Sequence, residues 1–177
     1  MNDAPEERPD RHRVFFALWP DDATRAAISR ATRDAVRLSG GRPIAKERLH
    51  VTVPFLGELT AAGLEAGRAA PPISVGPFEL ALDAVGVWPE SKILWLAPTA
   101  LPAALVELEN RLWDALLERG FRGADRDYRP HVTLARRARP VDSAVEPVLF
   151  PVRDLALVES FPDGRNVHYE VLERWPL

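Results

Sequence analysis

Two short motifs in the chain could carry acid–base chemistry. The tripeptide His-Val-Thr stands at residues 50–52 and again at residues 131–133, each time inside a short apolar run. The whole chain contains only four histidines, so two of them in matching surroundings are poorly explained by chance. An arginine lies two residues before each histidine (Arg48 and Arg129), and an aliphatic residue follows each threonine. The pattern indicates one structural element that is used twice.

Both motifs are predicted to lie on β-strands. Apolar and polar residues alternate over residues 49–53, which is typical of a half-buried strand. Residues i and i+2 of a strand project to the same face. His50 and Thr52 are therefore expected to face one groove, and His131 and Thr133 are expected to face it from the second strand.

Two imidazoles and two hydroxyls in one groove suit displacement at a phosphodiester. Imidazole titrates near neutral pH, so one ring can act as general base and the other as general acid. A threonine hydroxyl can donate a hydrogen bond to a phosphate oxygen on which charge develops. The catalytic candidates are His50 and His131, and the phosphate-binding candidates are Thr52 and Thr133. Activity is expected to follow a bell in pH, with limbs at about 6 to 7.5.

The paired motifs resemble those of the two-histidine (2H) phosphoesterase superfamily. Within it, the chain is most similar to the RNA 2′,3′-cyclic phosphodiesterases, also called 2′-5′ RNA ligases. The segments that carry the resemblance follow one another in order at 13–20, 48–59, 87–98, 128–137 and 158–177.

The resemblance implies a reaction and a site. The reaction is metal-independent hydrolysis of RNA-type 2′,3′-cyclic phosphates to 2′-phosphomonoesters. If an RNA 5′-hydroxyl attacks in place of water, the same site makes a 2′-5′ linkage reversibly and without ATP. The expected partners are RNA or nucleotide ends that bear a 2′,3′-cyclic phosphate, and no cofactor, metal or membrane partner is expected.

Further binding residues are suggested more weakly. Arg136 is the best single candidate, because the family commonly has arginine there, although strict alternation turns it away from the groove unless the strand bulges. Tyr128 and Phe16 could stack on a base, with core packing favoured for Phe16. Pro54 stands where the family often has a lysine, and alternation places it on the groove face. Since proline removes a backbone donor, the strand is expected to end or lie at an edge there.

The remaining histidines and the tryptophans are given structural roles. His168 is predicted to be a surface or structural residue, and His12 is assigned to the N-terminal tail. The five tryptophans are predicted to be core or semi-core residues.

Composition limits the classes of protein that fit. A chain of 177 residues fits one domain, predicted over 13–177, after a disordered tail over 1–12. The net charge of −3 argues against a general nucleic-acid coat protein, which is usually basic. The absence of cysteine excludes disulfides and thiolate metal sites. With no apolar run long enough for a membrane span and no signal peptide, a cytoplasmic monomer is expected.

The order of predicted elements indicates an α+β domain with largely antiparallel sheet and outer helices. Two pseudo-symmetric lobes are expected to flank a central active-site groove. Strands are predicted over 14–18, 48–53, 78–87, 93–96, 131–134, 153–160 and 167–174, and helices over 22–38, 60–70 and 101–119.

Three alternatives to the cyclic phosphodiesterase remain at this point. A related 2H phosphodiesterase could act on small cyclic nucleotides or oligoadenylates, and the proline at position 54 keeps this open. A non-catalytic nucleotide- or RNA-binding module could retain the groove, but two intact motifs argue against it. A zinc site is disfavoured, because two histidines fall short of the three or four ligands that zinc requires.

Overall fold

The computed structural model describes residues 11–69, 73–123, 127–163 and 166–177. In these ranges the strands are β1 His12–Leu18, β2 Arg42–Pro43, β3 Val51–Leu59, β4 Phe78–Leu82, β5 Ala84–Trp88, β6 Ile93–Ala97, β7 Val132–Arg136, β8 Val148–Val152, β9 Asp154–Asp163 and β10 Asn166–Pro176. The helices are α1 Asp22–Ala31, α2 Arg33–Ser39, α3 Ala61–Arg68 and α4 Ala103–Leu117, with a 3₁₀ turn at Lys46–Arg48.

The main sheet has the order β10-β9-β1-β3-β7-β6-β5, with β2 paired to β7. Strands β4 and β8 form a separate two-stranded sheet. All pairings between described strands are antiparallel. The predicted α+β class with largely antiparallel sheet is confirmed, and the two motif strands, β3 and β7, lie side by side in the middle of the sheet.

The sheet is nearly divided where the motif strands meet. Strands β3 and β7 share one ladder pair, Val51 with Val132, whereas β1 and β3 are paired along most of their length. Strands β10, β9, β1 and β3 therefore form one part of the sheet, and β7, β6 and β5 form the other. The joining pair stands at the same position of both motifs, as two pseudo-symmetric lobes require.

A leucine-rich core holds the helices against the sheet. Leu105, Leu108, Leu112 and Leu116 of α4 are each at most 1% exposed, which confirms the apolar face that their spacing predicts. Among the described residues, no helix is long and apolar enough to cross a membrane.

The predicted helix over 22–38 is two helices. They meet at Thr32, whose hydroxyl donates to the carbonyl of Ile28 at 2.8 Å. A threonine that bonds back to the preceding turn bends a helix. The spacing of apolar residues does not predict such a hydrogen bond, so the break was missed. Gly40, with φ of 59°, ends the second helix as predicted, because glycine adopts the left-handed conformation without steric cost.

The predicted strand over 78–87 is also two strands. It breaks at Asp83, whose carboxylate accepts from the backbone N–H and the hydroxyl of Thr99, each at 2.7 Å. The first half, β4, then pairs with β8 and the second half, β5, with β6. Strand β8 was not predicted, although its buried residues alternate, because Pro151 within it argues against a central strand.

Strand β1 begins one residue before the predicted start of the domain. Residues 1–10 lie outside the described residues, so the predicted tail remains untested there. His12, which was assigned to that tail, is instead the first residue of β1. Its Nδ1 lies 2.7 Å from a carboxylate oxygen of buried Glu159, so this histidine belongs to the sheet.

Candidate active site

The register between the motif strands decides which functional side chains meet. The central valines of the two motifs are paired and fully buried, and partners in an antiparallel pair run in opposite directions. His50 therefore lies opposite Thr133, and Thr52 lies opposite His131. All four residues are half-buried. The histidines are diagonal neighbours, whose side chains start about 7–8 Å apart in such a pair, which leaves room for a phosphate.

Both imidazoles are held by the same hydrogen bond. The Nδ1 of His50 lies 2.7 Å from the carbonyl oxygen of Arg48, and the Nδ1 of His131 lies 2.8 Å from that of Arg129. A carbonyl only accepts, so each Nδ1 carries hydrogen and donates it. Each Nε2 is then the ring nitrogen left to exchange a proton. The arginine repeated before each histidine thus has a shared role through its backbone carbonyl.

A bulge after the first motif turns Phe55 into the groove. Thr52 pairs with Ala17 and Phe55 pairs with Phe15, so β3 has one more residue than β1 over this stretch. Such a bulge re-aims the side chains that follow it. Pro54 lies inside the bulge and is buried, which corrects its predicted place on the groove face. The strand also continues past this proline, since a bulge tolerates a missing donor.

A second bulge at the matching place in β7 turns Arg136 into the groove. Thr133 pairs with Trp95 and Ala135 pairs with Leu94, so β7 has one extra residue there. This is the bulge that a groove-facing Arg136 required. Each motif threonine is thus followed, three residues later, by a groove residue that simple alternation would place on the other face.

The groove is a cleft of about 170 Å³. It is lined by Arg13, Phe15, Ile44, Arg48, His50, Thr52, Phe55, Thr133, Arg136, Ser160 and Tyr169. His131 is not among these residues, although the strand pairing places it diagonally across from His50. Three of these residues are arginines and, within the described part of the chain, none is acidic. A chain with a net charge of −3 therefore presents a local basic surface beside the motifs, which attracts phosphate.

Aromatic rings surround His50 and leave His131 more open. The rings of Phe15 and Trp19 stack on His50 with centroid distances of 4.9 and 5.5 Å, and Tyr169 meets it edge-on at 5.3 Å. His131 has one aromatic neighbour among the described residues, Trp88, edge-on at 4.5 Å.

These surroundings disfavour charge on both imidazoles. Burial lowers the pKa of His50 from 6.5 to about 4, and repulsion from His131 and Arg25 acts in the same direction. The hydrogen bond to the Arg48 carbonyl opposes this shift. Burial also lowers the pKa of His131, against the hydrogen bond to the Arg129 carbonyl. A phosphate between the rings would favour protonation of one of them, which supplies the acid.

Two weaker candidates lie outside the cleft. Phe16 is 1% exposed and packs against Trp175. Tyr128 is half-buried, and its hydroxyl donates to the carbonyl of Thr52 at 3.2 Å. Neither ring lines the cleft, so the base stacking considered for them finds no support in their positions. His168 is exposed, as predicted.

Sequence reasoning missed several cleft residues. Phe15, Phe55 and Tyr169 line the cleft, but nothing in their own sequence neighbourhoods marks them as functional. The one available signal was the proline at position 54, two residues after the threonine of the first motif, which is typical of a bulge. Trp19 was predicted to be a core residue. Its contact with His50 arises because the end of β1 pairs with the start of β3, and these two segments are far apart in the sequence.

No cation site is evident among the described residues. There, no group of three or more histidine, aspartate or glutamate side chains could hold a metal ion.

Comparisons with known proteins show the family of the chain. A family model described as the 2′-5′ RNA ligase superfamily matches residues 20–161. The RNA 2′,3′-cyclic phosphodiesterase of Escherichia coli strain K12 is 33% identical over 174 residues, which cover 93% of this chain and 96% of that protein. The protein of the same name from Thermus thermophilus is 31% identical and covers 93% of this chain and 90% of its own length. The crystal structure of E. coli LigT complexed with 3′-AMP superposes with a TM-score of 0.83 at 30% identity, covering 94% of this chain and 98% of that one.

Proposed function

Because the chain belongs to the 2′-5′ RNA ligase superfamily, we propose that it is an RNA 2′,3′-cyclic phosphodiesterase. It opens the cyclic phosphate to a 2′-phosphomonoester without a metal. Relatives from several organisms carry this name. The observation that carries the proposal is the pairing of the two motifs at their central valines, which brings each imidazole opposite a threonine hydroxyl.

The four motif residues divide the work of an in-line displacement. One neutral imidazole takes a proton from water through Nε2 as the water oxygen bonds to phosphorus. The bond from phosphorus to the 3′ oxygen breaks, and the second imidazole, protonated beside the phosphate, gives its Nε2 proton to that oxygen. The hydroxyls of Thr52 and Thr133 donate to the non-bridging oxygens as negative charge develops there. The proton taken and the proton given balance, so the pair ends with one proton as it began.

The same chemistry can run with RNA as the attacking group. If a 5′-hydroxyl replaces water, its proton goes to the basic imidazole and a 2′-5′ linkage forms without ATP. The reaction is reversible because the energy of the phosphodiester is conserved. In dilute RNA hydrolysis prevails, since water is far more concentrated than any RNA end.

The basic cleft favours an RNA end over an uncharged substrate. Arg13, Arg48 and Arg136 stand on its walls and can bind phosphates adjacent to the reacting one. Phe55 is 48% exposed and offers a ring face to a base. These four residues and the motif residues come from one chain, so we propose a single domain that begins with β1 and acts as a monomer. We place its substrates, and hence the protein, in the cytoplasm.

The test is hydrolysis of an RNA oligonucleotide that ends in a 2′,3′-cyclic phosphate, with and without EDTA. We expect a 2′-phosphate product at the same rate in both conditions. His50→Ala and His131→Ala should each reduce kcat by about 10² to 10⁴, the range for a positioned acid or base. His168→Ala, on the exposed surface, is the matched control and should retain full activity.

Two results would contradict the proposal. A 3′-phosphate product would mean that the wrong phosphorus–oxygen bond is broken. Near-full activity in either folded motif variant would mean that the paired imidazoles are not the acid and base.

A further inference from the structure

Trp19 connects the candidate catalytic ring of His50 to a buried cation. The indole stacks on the imidazole at a centroid distance of 5.5 Å and an interplanar angle of 21°. The guanidinium carbon of Arg25 lies 5.1 Å from the centroid of the indole. His50, Trp19 and Arg25 therefore form a continuous column that begins at the cleft and ends in α1.

Arg25 is an unusual residue to find buried. Its side chain is 10% exposed, and its Nε and Nη2 have no hydrogen-bond partner among the residues that the structure describes. The carboxylate of Asp22 is 3.6 Å from Nη1, but that carboxylate is 98% exposed and is therefore well screened. Buried charges are normally paired and fully hydrogen-bonded, so the indole face is the main compensation for this one.

Trp19 contacts His50 from outside the motif cleft. It is absent from the walls of the motif cleft. Together with Arg25 it lines a separate cavity of about 370 Å³ between the start of α1 and strands β8 and β9. That cavity contains neither motif and mixes acidic with basic residues, so it has no clear charge preference for a ligand. The indole separates this cavity from His50.

We propose that Trp19 and Arg25 are positioning residues for His50. The buried guanidinium of Arg25 holds the indole in place. The indole and the ring of Phe15, which both stack on His50, then keep the imidazole in the plane that directs Nε2 into the cleft. The hydrogen bond from Nδ1 to the Arg48 carbonyl fixes one point of the ring, whereas stacking fixes the orientation of its plane. His131 has no comparable stack among the described residues, so the effect is specific to the first motif.

The column also explains part of the electrostatics of His50. Burial is the largest reason why its pKa is lowered, and the positive charges of His131 and Arg25 add to the effect. Among the described residues, the titratable and charged groups on this side of the cleft are Arg25 from α1 with its partner Asp22, Arg13 from β1, Arg48, His131 and Arg136 from the motif segments, and Tyr169 from β10.

The inference rests on the proposed function, and substitution of Trp19 tests it. Trp19→Leu removes the flat face from both His50 and Arg25, whereas Trp19→Phe keeps one. With cytidine 2′,3′-cyclic phosphate as substrate, we expect Trp19→Leu to lower kcat roughly 10- to 100-fold, the scale of a misplaced catalytic group. KM should change less than about threefold, because the indole does not line the cleft, and Trp19→Phe should stay within about threefold of wild type in kcat.

NMR of the histidine rings separates positioning from loss of fold. In wild type, the ¹⁵N shifts of His50 should show hydrogen on Nδ1 at neutral pH. In Trp19→Leu we expect a mixture of tautomers and a titration midpoint moved up toward 6.5, the ordinary pKa of histidine. His131 serves as the internal reference and should keep its tautomer. This readout needs no turnover, so it remains decisive even if cyclic phosphates prove not to be substrates.

Arg25→Met provides the second test, should Trp19→Leu fail to fold. It keeps the length of the side chain and removes the charge, and Arg30→Met on the exposed face of α1 is the matched control. We expect Arg25→Met, but not Arg30→Met, to lower kcat and shift the His50 titration upward. An unchanged His50 tautomer and titration in folded Trp19→Leu or Arg25→Met would overturn the inference, as would equal loss of kcat in Trp19→Leu and Trp19→Phe.

Discussion

The two histidines have the same hydrogen bond and different surroundings. Each donates from Nδ1 to the carbonyl two residues earlier, which leaves Nε2 as the working nitrogen in both. His50 is enclosed by three rings, whereas His131 meets one described ring edge-on. A symmetric pair of motifs is therefore placed in asymmetric environments, which separates the two proton affinities as an acid–base pair requires.

The threonine hydroxyls should matter for rate more than for folding. Thr52→Val and Thr133→Val keep the β-branched shape that suits a strand and remove one donor to the phosphate. We expect kcat to fall roughly 10- to 10³-fold in each, in line with the loss of one donor to developing charge. The specific activity of folded protein, normalised by circular dichroism, checks this. Unchanged specific activity with lower stability would assign both threonines to packing.

The pH profile should be displaced to acid. With both rings protonated there is no base, and with both neutral there is no acid, so activity needs one proton on the pair. Because burial lowers the pKa of both His50 and His131 from 6.5, both limbs of kcat/KM should lie below 6.5 for the free enzyme. This replaces the bell at about 6 to 7.5 that unperturbed imidazoles predict.

The profile of kcat gives the matching comparison. The bound phosphate favours imidazolium, so the limbs of kcat should lie at higher pH than those of kcat/KM. The two apparent values belong to the coupled pair and not to either ring. Rates measured from pH 3.5 to 9 on a small cyclic nucleotide check both statements, and a rising limb of kcat/KM above 6.5 would contradict them.

At the scale of elements, paired bulges are what turn two ordinary strands into a site. The groove positions of Phe55 and Arg136 each depend on one extra residue after the motif threonine. The groove positions of His50 and Thr52 depend only on local alternation. The sequence therefore predicted the motif residues and the need for a bulge at Arg136, but it did not predict Phe55, because a bulge is defined against a partner strand.

Strand β1 gives a second example of a side-chain direction that the sequence alone does not predict. Phe15 and Phe16 are adjacent and both nearly fully buried, so hydrophobicity does not tell which of them faces the motifs. The sheet register does: Phe15 stacks on His50, and Phe16 lies in the core. The core packing favoured for Phe16 is confirmed, whereas the contact of Phe15 with His50 was not predicted.

Tyr128 is a cross-brace between the two motif strands. It lies just before the second motif, and its hydroxyl donates to the Thr52 carbonyl in the first. Since β3 and β7 share a single ladder pair, we expect Tyr128→Phe to lower the free energy of unfolding by about 1 kcal/mol and to reduce kcat several-fold. Urea unfolding and steady-state kinetics measure the two effects.

Thr99→Val is the control for that substitution. It removes a side-chain hydrogen bond to Asp83 at 2.7 Å between elements that do not carry the motifs. We expect a comparable loss of stability with unchanged kcat. Equal kcat in wild type and Tyr128→Phe would mean that the brace contributes to stability alone.

At the scale of the whole molecule, the charge of the cleft is opposite in sign to the net charge of the chain. The chain carries −3 overall, yet the described walls of the cleft contain three arginines and no carboxylate. Composition argued against a general nucleic-acid coat protein. It could not reveal a basic cleft, because the three arginines come from β1, β7 and the 3₁₀ turn. Only the fold brings them together.

The free energy of unfolding of the whole protein should depend on pH through His50. Its pKa is about 4 in the folded protein, against 6.5 as the ordinary value, so between these values the unfolded chain binds more protons than the native one. The free energy of unfolding therefore rises with pH. The part of it that depends on neutral His50 is fully present above pH 6.5 and is lost as the pH falls toward 4. The shift corresponds to an upper bound of about 3 kcal/mol. We expect His50→Asn to remove this slope from the free energy of unfolding measured by urea at pH 4.5 to 7.5, while exposed His168→Asn leaves it in place. Parallel pH dependences in wild type and His50→Asn would show that His50 does not stay neutral in the folded protein.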